Sequence, residues 1–86
     1  MRIGKVIGRI VATRKDDRLV GSKLLIAQPI GLDGTPAGDP IVAVDTVGAG
    51  IGERVIYVIG SRAAKAVSSD DAPVDAAIVG IIDSIE

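Results

Sequence analysis

Residues 2 to 14 alternate along one parity. Gly4, Val6, Gly8, Ile10 and Ala12 are uncharged, while Ile3, Lys5, Ile7, Arg9, Val11 and Thr13 mix charge with branched aliphatics. A period of two is the mark of a strand with one face on the core, so this stretch predicts a long opening strand with the even positions inward. The two glycines on the inward parity mark a strand that coils sharply or lets another group come close, as barrel strands do. Asp16-Asp17-Arg18 predicts a turn. Lys23 to Gln28 predicts a second strand, with Pro29 ending it or confining it to an edge because proline has no N–H to donate to a ladder.

Residues 31 to 40 are rich in glycine and proline and read as a hairpin tip, with Asp33-Gly34 tolerating positive φ. Ile41 to Asp45 and Arg54 to Ile59 are dense in β-branched residues and predict a third and a fourth strand. From Gly60 to Ala66 the alanines predict a short helix with Ser61 as its N-cap. Ser68 to Pro73 then breaks the helix in an exposed, mobile stretch, and a last strand falls around Ala77 to Ile82, with Ile78 and Val79 on opposite faces. Five strands and one short helix between the fourth and fifth predict an all-β fold, a small Greek-key, OB-like barrel, with residues 1–86 as one domain.

Composition changes that picture in one respect. A chain of 86 residues buries only about 60% of its unfolded surface, and this one has no cysteine for disulfides and neither Cys nor His for a zinc staple. Yet 48% of it is apolar, almost wholly aliphatic, with one Tyr and no Phe or Trp. Aliphatic surface beyond the needs of one small core points to burial between subunits. The formal net charge of −1 gives no overall pull towards nucleic acid or anionic lipid. The longest uncharged run, Leu24 to Leu32, is far short of the roughly 20 apolar residues of a spanning helix, so no membrane partner is expected. Charges at Arg2, Lys5 and Arg9 interrupt any secretory h-region, and the chain reads as cytoplasmic.

Candidate chemistry is sparse. Gly48, Gly50 and Gly52 alternate in the segment Val47 to Glu53. A dinucleotide-binding reading fails on spacing, because the last glycine comes one residue early, and on context, because a strand follows where a helix is needed. Glycines at alternate positions instead strip side chains from a loop and let backbones approach an axis or a ligand. Without His or Cys, catalysis would rest on Asp45 and Glu53 beside this loop. The plainer reading makes Asp45 a solvated strand end and Glu53 a subunit salt bridge. Asp16-Asp17 and Asp70-Asp71 lack the spaced oxygen ligands of a calcium site and read as turns. An OB-like barrel raises single-stranded nucleic acid as the alternative function, with Arg9, Arg14, Lys15 and Arg18 near one end. Tyr57 is the one ring available for stacking, and no nucleic-acid partner is expected.

In order along the chain, MRIGKVIGRIVATRK, GSKLLIAQPI, DGTPAGDP, VAVDTVGAGIGERV, GSRAA and PVDAAIVGIIDSIE resemble the EutN/CcmL family of bacterial microcompartment shell vertex proteins. The resemblance implies a five-stranded barrel assembled as a cyclic homopentamer. The pentamer caps the five-fold vertices of an icosahedral shell in the cytoplasm, beside hexameric and trimeric shell proteins, with no enzyme activity and no cofactor. It places Gly48, Ala49, Gly50, Ile51, Gly52 and Glu53 around a narrow pore on the five-fold axis, lined by backbone and Ala49, and puts Ser61, Arg62 and Asp75 at the subunit interface. Asp75 is expected to brace the last strand through a salt bridge. Two departures from the family pattern stand out. Ala64 replaces a frequent arginine, with Arg62 or Lys65 as the stand-in, and the chain stops at Glu86 where many members continue in a tail.

Overall fold

A computed structural model describes residues 1–67 and 73–86. The third and fourth strands have the predicted boundaries, and the second and fifth differ from theirs by one residue. β1 is Arg2–Ile10, β2 Lys23–Pro29, β3 Ile41–Asp45, β4 Arg54–Ile59 and β5 Ala76–Ile81, with the helix α1, Ser61–Val67, between β4 and β5. They close into a barrel in the order β1-β2-β3-β5-β4. Every neighbouring pair is antiparallel except β3 and β5. That parallel seam is short, Val44 opposite Ala77 and Asp45 opposite Ile78, and Thr46 extends it. The Ile78 carbonyl accepts both the Thr46 amide at 3.2 Å and the Thr46 hydroxyl at 2.7 Å.

The core is built from Val6, Leu25, Ala43, Val55, Tyr57 and Ile78, contributed by all five strands. Ile78 is fully buried and Val79 only partly, but β5 does not alternate. Ala76, Ala77 and Ile78 are all buried and the three residues after them partly so, because both neighbouring strands and the helix cover its first half. Tyr57 is the largest fully buried side chain, and Gly4 on β1 makes the space for its ring. A Cβ added at Gly4 would lie 3.1 Å from Tyr57 Cε1 and 3.2 Å from the Gln28 carbonyl oxygen. Gly4→Ala is therefore expected to lower stability by about 1–3 kcal/mol. Gly8→Ala meets only the flexible tip of Ile26 at 3.4 Å and is expected to cost less. A pair of urea midpoints checks the order, and equal midpoints would show that β1 shifts freely to admit a methyl group.

β1 is shorter than the alternation predicts. It ends at Ile10, and Ile10 and Ala12 are exposed although they lie on the inward parity. β1 pairs with β4 only from Arg2 to Lys5, Val6 bonds the Gly52–Glu53 backbone, and beyond that β2 is its only paired strand. A bulge between Val6 and Gly8 re-aims the strand at that point, so its end runs past the barrel mouth.

The Asp16-Asp17-Arg18 turn is a single 3₁₀ turn, Asp17–Leu19, capped by Asp16, whose carboxylate also holds Arg18 at 2.9 Å. The Arg18 hydrogen bonds keep the Asp16 carboxyl well below its ordinary pKa. In the hairpin tip, Gly34 has φ +85 and its N–H donates to the Gly31 carbonyl at 2.9 Å.

The helix begins at Ser61 itself, so Ser61 is its first helical residue and not the N-cap. Gly60, at φ +76, turns the chain from β4 directly into the helix, which is why helix starts one residue earlier than the capping pattern indicates. Ala63 and Ala64 are its buried face. The expectation of a mobile stretch from Ser68 falls on residues outside the described ones, apart from Pro73, and so does the Asp70-Asp71 turn. No helix among the described residues is long and apolar enough to cross a membrane.

Candidate functional site: the glycine loop

The connection between β3 and β4 is tied at both ends. Where it leaves β3, Asp45 Oδ1 accepts the Val47 N–H at 3.1 Å and Oδ2 accepts the Ala49 N–H at 3.0 Å. Where it enters β4, the Gly52 N–H donates to the Val6 carbonyl at 2.8 Å, and the Val6 N–H returns to the Glu53 carbonyl at 2.9 Å. The loop is thus sewn onto β1 as an extension of the barrel wall. Between these anchors the Glu53 N–H donates to the Gly50 carbonyl at 3.1 Å, closing a four-residue turn. Gly52 sits third in that turn with φ +93, which a β-carbon would strain. Glu53 Oε1 accepts the Gly50 N–H at 2.6 Å, so the side chain and backbone of Glu53 both close the same turn.

Ala49 is fully buried and belongs to the same core cluster as Val6, Val55 and Tyr57. It does not line an opening, contrary to the expectation for a pore wall. The loop needs one inward anchor, and alanine is small enough to enter a closed barrel. Ile51 stands 66% exposed at the outer bend, with Gly48 and Gly52 exposed beside it. Of the six predicted axis residues, the ones that can meet another molecule are therefore Gly48, Gly50, Ile51, Gly52 and Glu53, and Val47 beside them is exposed as well.

Asp45 is also not a solvated strand end. Its side chain is only 2% exposed, because the loop folds back over it. A buried carboxylate needs compensating donors, and it has two backbone amides and a lysine. Lys23 Nζ lies 3.8 Å from Asp45 Oδ2 and donates to the Ala49 carbonyl at 2.8 Å. The local signal for Asp45 was present: a carboxylate two residues before an amide that needs an acceptor is the pattern of an Asx turn. Nothing local pointed to Lys23, which reaches the loop only because it faces Asp45 across the β2–β3 ladder.

The other predicted positions are scattered around this loop and the helix. Ser61 and Arg62 are exposed at the start of α1, and Lys65 is exposed too, while Ala64 is buried. Asp75 is exposed, and its recorded bond is through the backbone, the carbonyl accepting the Gly60 N–H at 2.8 Å. That bond joins the start of β5 to the end of β4. The expected Asp75 salt bridge is absent among the described residues. The carboxylates beside the loop are both occupied with backbone amides, an arrangement for holding shape. Tyr57, the only aromatic ring of the chain, is 2% exposed and presents no stacking surface.

Many large aliphatic side chains remain outside the core, among them Ile7, Val11, Val20, Leu32, Val42 and Ile51. They come from β1, β3 and the segments between strands.

A family model described as "Ethanolamine utilisation protein EutN/carboxysome" matches residues 1–83. The bacterial microcompartment shell vertex protein GrpN of Rhodospirillum rubrum is 46% identical over 86 residues, which cover 100% of this chain and 97% of GrpN. The corresponding vertex protein EutN of Escherichia coli is 41% identical over 85 residues, 99% of this chain and 90% of EutN. Among solved structures, an ethanolamine utilization protein, EutN, has a TM-score of 0.95 at 41% identity, covering 100% of this chain and 90% of that one. The pentameric microcompartment shell protein GrpN has a TM-score of 0.90 at 45% identity, covering 100% and 99%.

Proposed function

The chain belongs to the EutN/CcmL family, and from that premise we propose that it is a structural vertex protein, a ring of five that closes the corners of a bacterial microcompartment shell. The observation that carries this reading is the end-to-end match to a pentameric shell protein, with every residue of this chain covered and almost none of that protein left over. Exposed aliphatic residues from several segments of a barrel whose core is already closed support it, since a cyclic ring buries surface from two faces of each subunit.

Geometry supplies the mechanism. Hexagonal tiles alone pave a flat sheet, so a closed polyhedron needs pentagons at its corners. A five-fold heterologous interface closes on itself and leaves five outer edges for neighbouring hexameric or trimeric tiles. The chain acts as one barrel domain in the shell, in the cytoplasm, and its chemistry is assembly and not turnover.

In the ring, Gly48, Gly50, Ile51, Gly52 and Glu53 surround the five-fold axis, where five copies crowd and side chains on the glycines would collide. Ala49 anchors that loop from within each barrel. Ser61, Arg62 and Asp75, on the exposed surface around α1, face a neighbouring subunit.

The test is the absolute mass in solution, by native mass spectrometry or light scattering. The expected result is one discrete species of five times the 8.7 kDa chain. A stable monomer at micromolar to millimolar concentration would overturn the vertex reading.

A further inference from the structure

A loop with three glycines in five residues loses unusually large conformational entropy when it takes one shape. Here two side chains outside the loop converge on Ala49, the residue between its first two glycines. Ala49 has its N–H held by Asp45 Oδ2 at 3.0 Å, its carbonyl held by Lys23 Nζ at 2.8 Å, and its methyl group buried in the core. Asp45 also holds the Val47 N–H at 3.1 Å. Lys23 and Asp45 are direct cross-strand partners at the end of the β2–β3 ladder, so the sheet itself sets their separation before the loop forms.

We propose that Asp45 and Lys23 are positioning residues that set the shape of the glycine loop inside each subunit, so that five preformed loops meet in the ring instead of moulding one another there. The loop's place at the axis rests on the vertex reading, whereas the clamp lies wholly within one chain. Gly48 and Gly50 flank the pinned Ala49, so a shift of Ala49 would carry both glycines with it and change the opening they surround. Preorganisation of this kind lowers the ordering cost of association.

The experiment is amide hydrogen exchange, read residue by residue, together with the mass in solution, for the full chain and three variants. Lys23→Met removes the donor to the Ala49 carbonyl from a half-exposed position, and Ala49 is expected to exchange about tenfold faster, as the loss of a charged hydrogen bond implies. Asp45→Asn keeps one accepting oxygen and sets an amino group against the other N–H, so Val47 or Ala49 is expected to exchange at least about tenfold faster. Lys23→Arg keeps a cation near the same carbonyl and is expected to remain near the parent rate. Leu25 and Val55, buried in the β2 and β4 walls, are expected to keep their rates in all three. A purely structural role would speed the wall and loop amides together.

Unchanged loop exchange in both Lys23→Met and Asp45→Asn, with the ring intact, would overturn the clamp and leave the vertex reading standing. A monomeric parent chain whose slow loop exchange is lost in Asp45→Asn would sustain the clamp and sink the vertex reading. If Asp45→Asn fails to fold, Lys23→Met decides the matter by the same readout.

Discussion

Tyr57→Ala is expected to abolish cooperative folding of this protein at ordinary temperature, and the ring with it. Tyr57 lies in β4, opposite Arg2 of β1 and Ile78 of β5, so its side chain touches the two seams that close the barrel on that side. It is the largest of the fully buried side chains, and its ring lies so close to Gly4 that an added Cβ would come within 3.1 Å of it. Truncating a buried aromatic ring to a methyl group costs about 3–5 kcal/mol through lost burial and the cavity left behind. Small domains have about 5 kcal/mol in total at the low end of the usual range.

Thermal unfolding measures the effect. For a domain of this size each kcal/mol moves the midpoint by about 4–8 °C, so a fall of at least 12 °C or the loss of the transition is expected. Tyr57→Phe keeps the ring and is expected to cost less than about 1.5 kcal/mol. A Tyr57→Ala midpoint within a few degrees of the parent would mean that β1 and β4 close over the vacancy, and that the glycine at position 4 serves some other purpose.

Gly50→Leu is expected to do the opposite: to spare the barrel and destroy the ring. The distinction comes from what surrounds each glycine within the single chain. Gly48 and Gly52 have φ values of +80 and +93, so any side chain there strains the loop whatever it meets. Gly50 has ordinary backbone angles, and a Cβ on it would meet only Glu53 Oε1, at 3.4 Å. A leucine at position 50 therefore costs the isolated subunit little. On the proposed placement at the five-fold axis, its effect appears where copies of the loop approach one another, since five isobutyl groups around one axis would have no room.

The expected outcome is a thermal midpoint close to that of the unassembled parent, with the mass falling from five chains to one. A Gly50→Leu protein that remains a ring, with an opening of unchanged width in its structure, would show that this loop stands away from the axis. Gly48→Ala is the useful contrast, since its penalty lies in the backbone of every subunit whether or not subunits meet.

Several features were legible in the residues alone because their physics is local. Alternation and β-branching located β2, β3 and β4 within a residue of their observed ends, since strand propensity and turn chemistry act over a few neighbours. The glycine loop and its unusual spacing were equally plain, as was an aliphatic content too large for one small core. So was the family, because its motifs recur in order along the whole chain.

What the sequence could not determine were the properties of pairs far apart in it. The even positions of β1 point inward only while β4, or at Val6 the loop that leads into it, lies beside them. Ile10, with β2 as its sole neighbour, is exposed in spite of its parity. Ala49 looked like the wall of an opening and is a core residue, because the closed barrel draws the middle of the loop inward. Asp45 looked solvated and is buried, because that same inward turn of the loop covers it, and Lys23 joins it from 22 positions earlier only through the β2–β3 register. Secondary structure is settled by interactions between adjacent residues, which any stretch of chain displays. Burial and partnership are settled when the barrel closes, and closure is a property of all five strands at once.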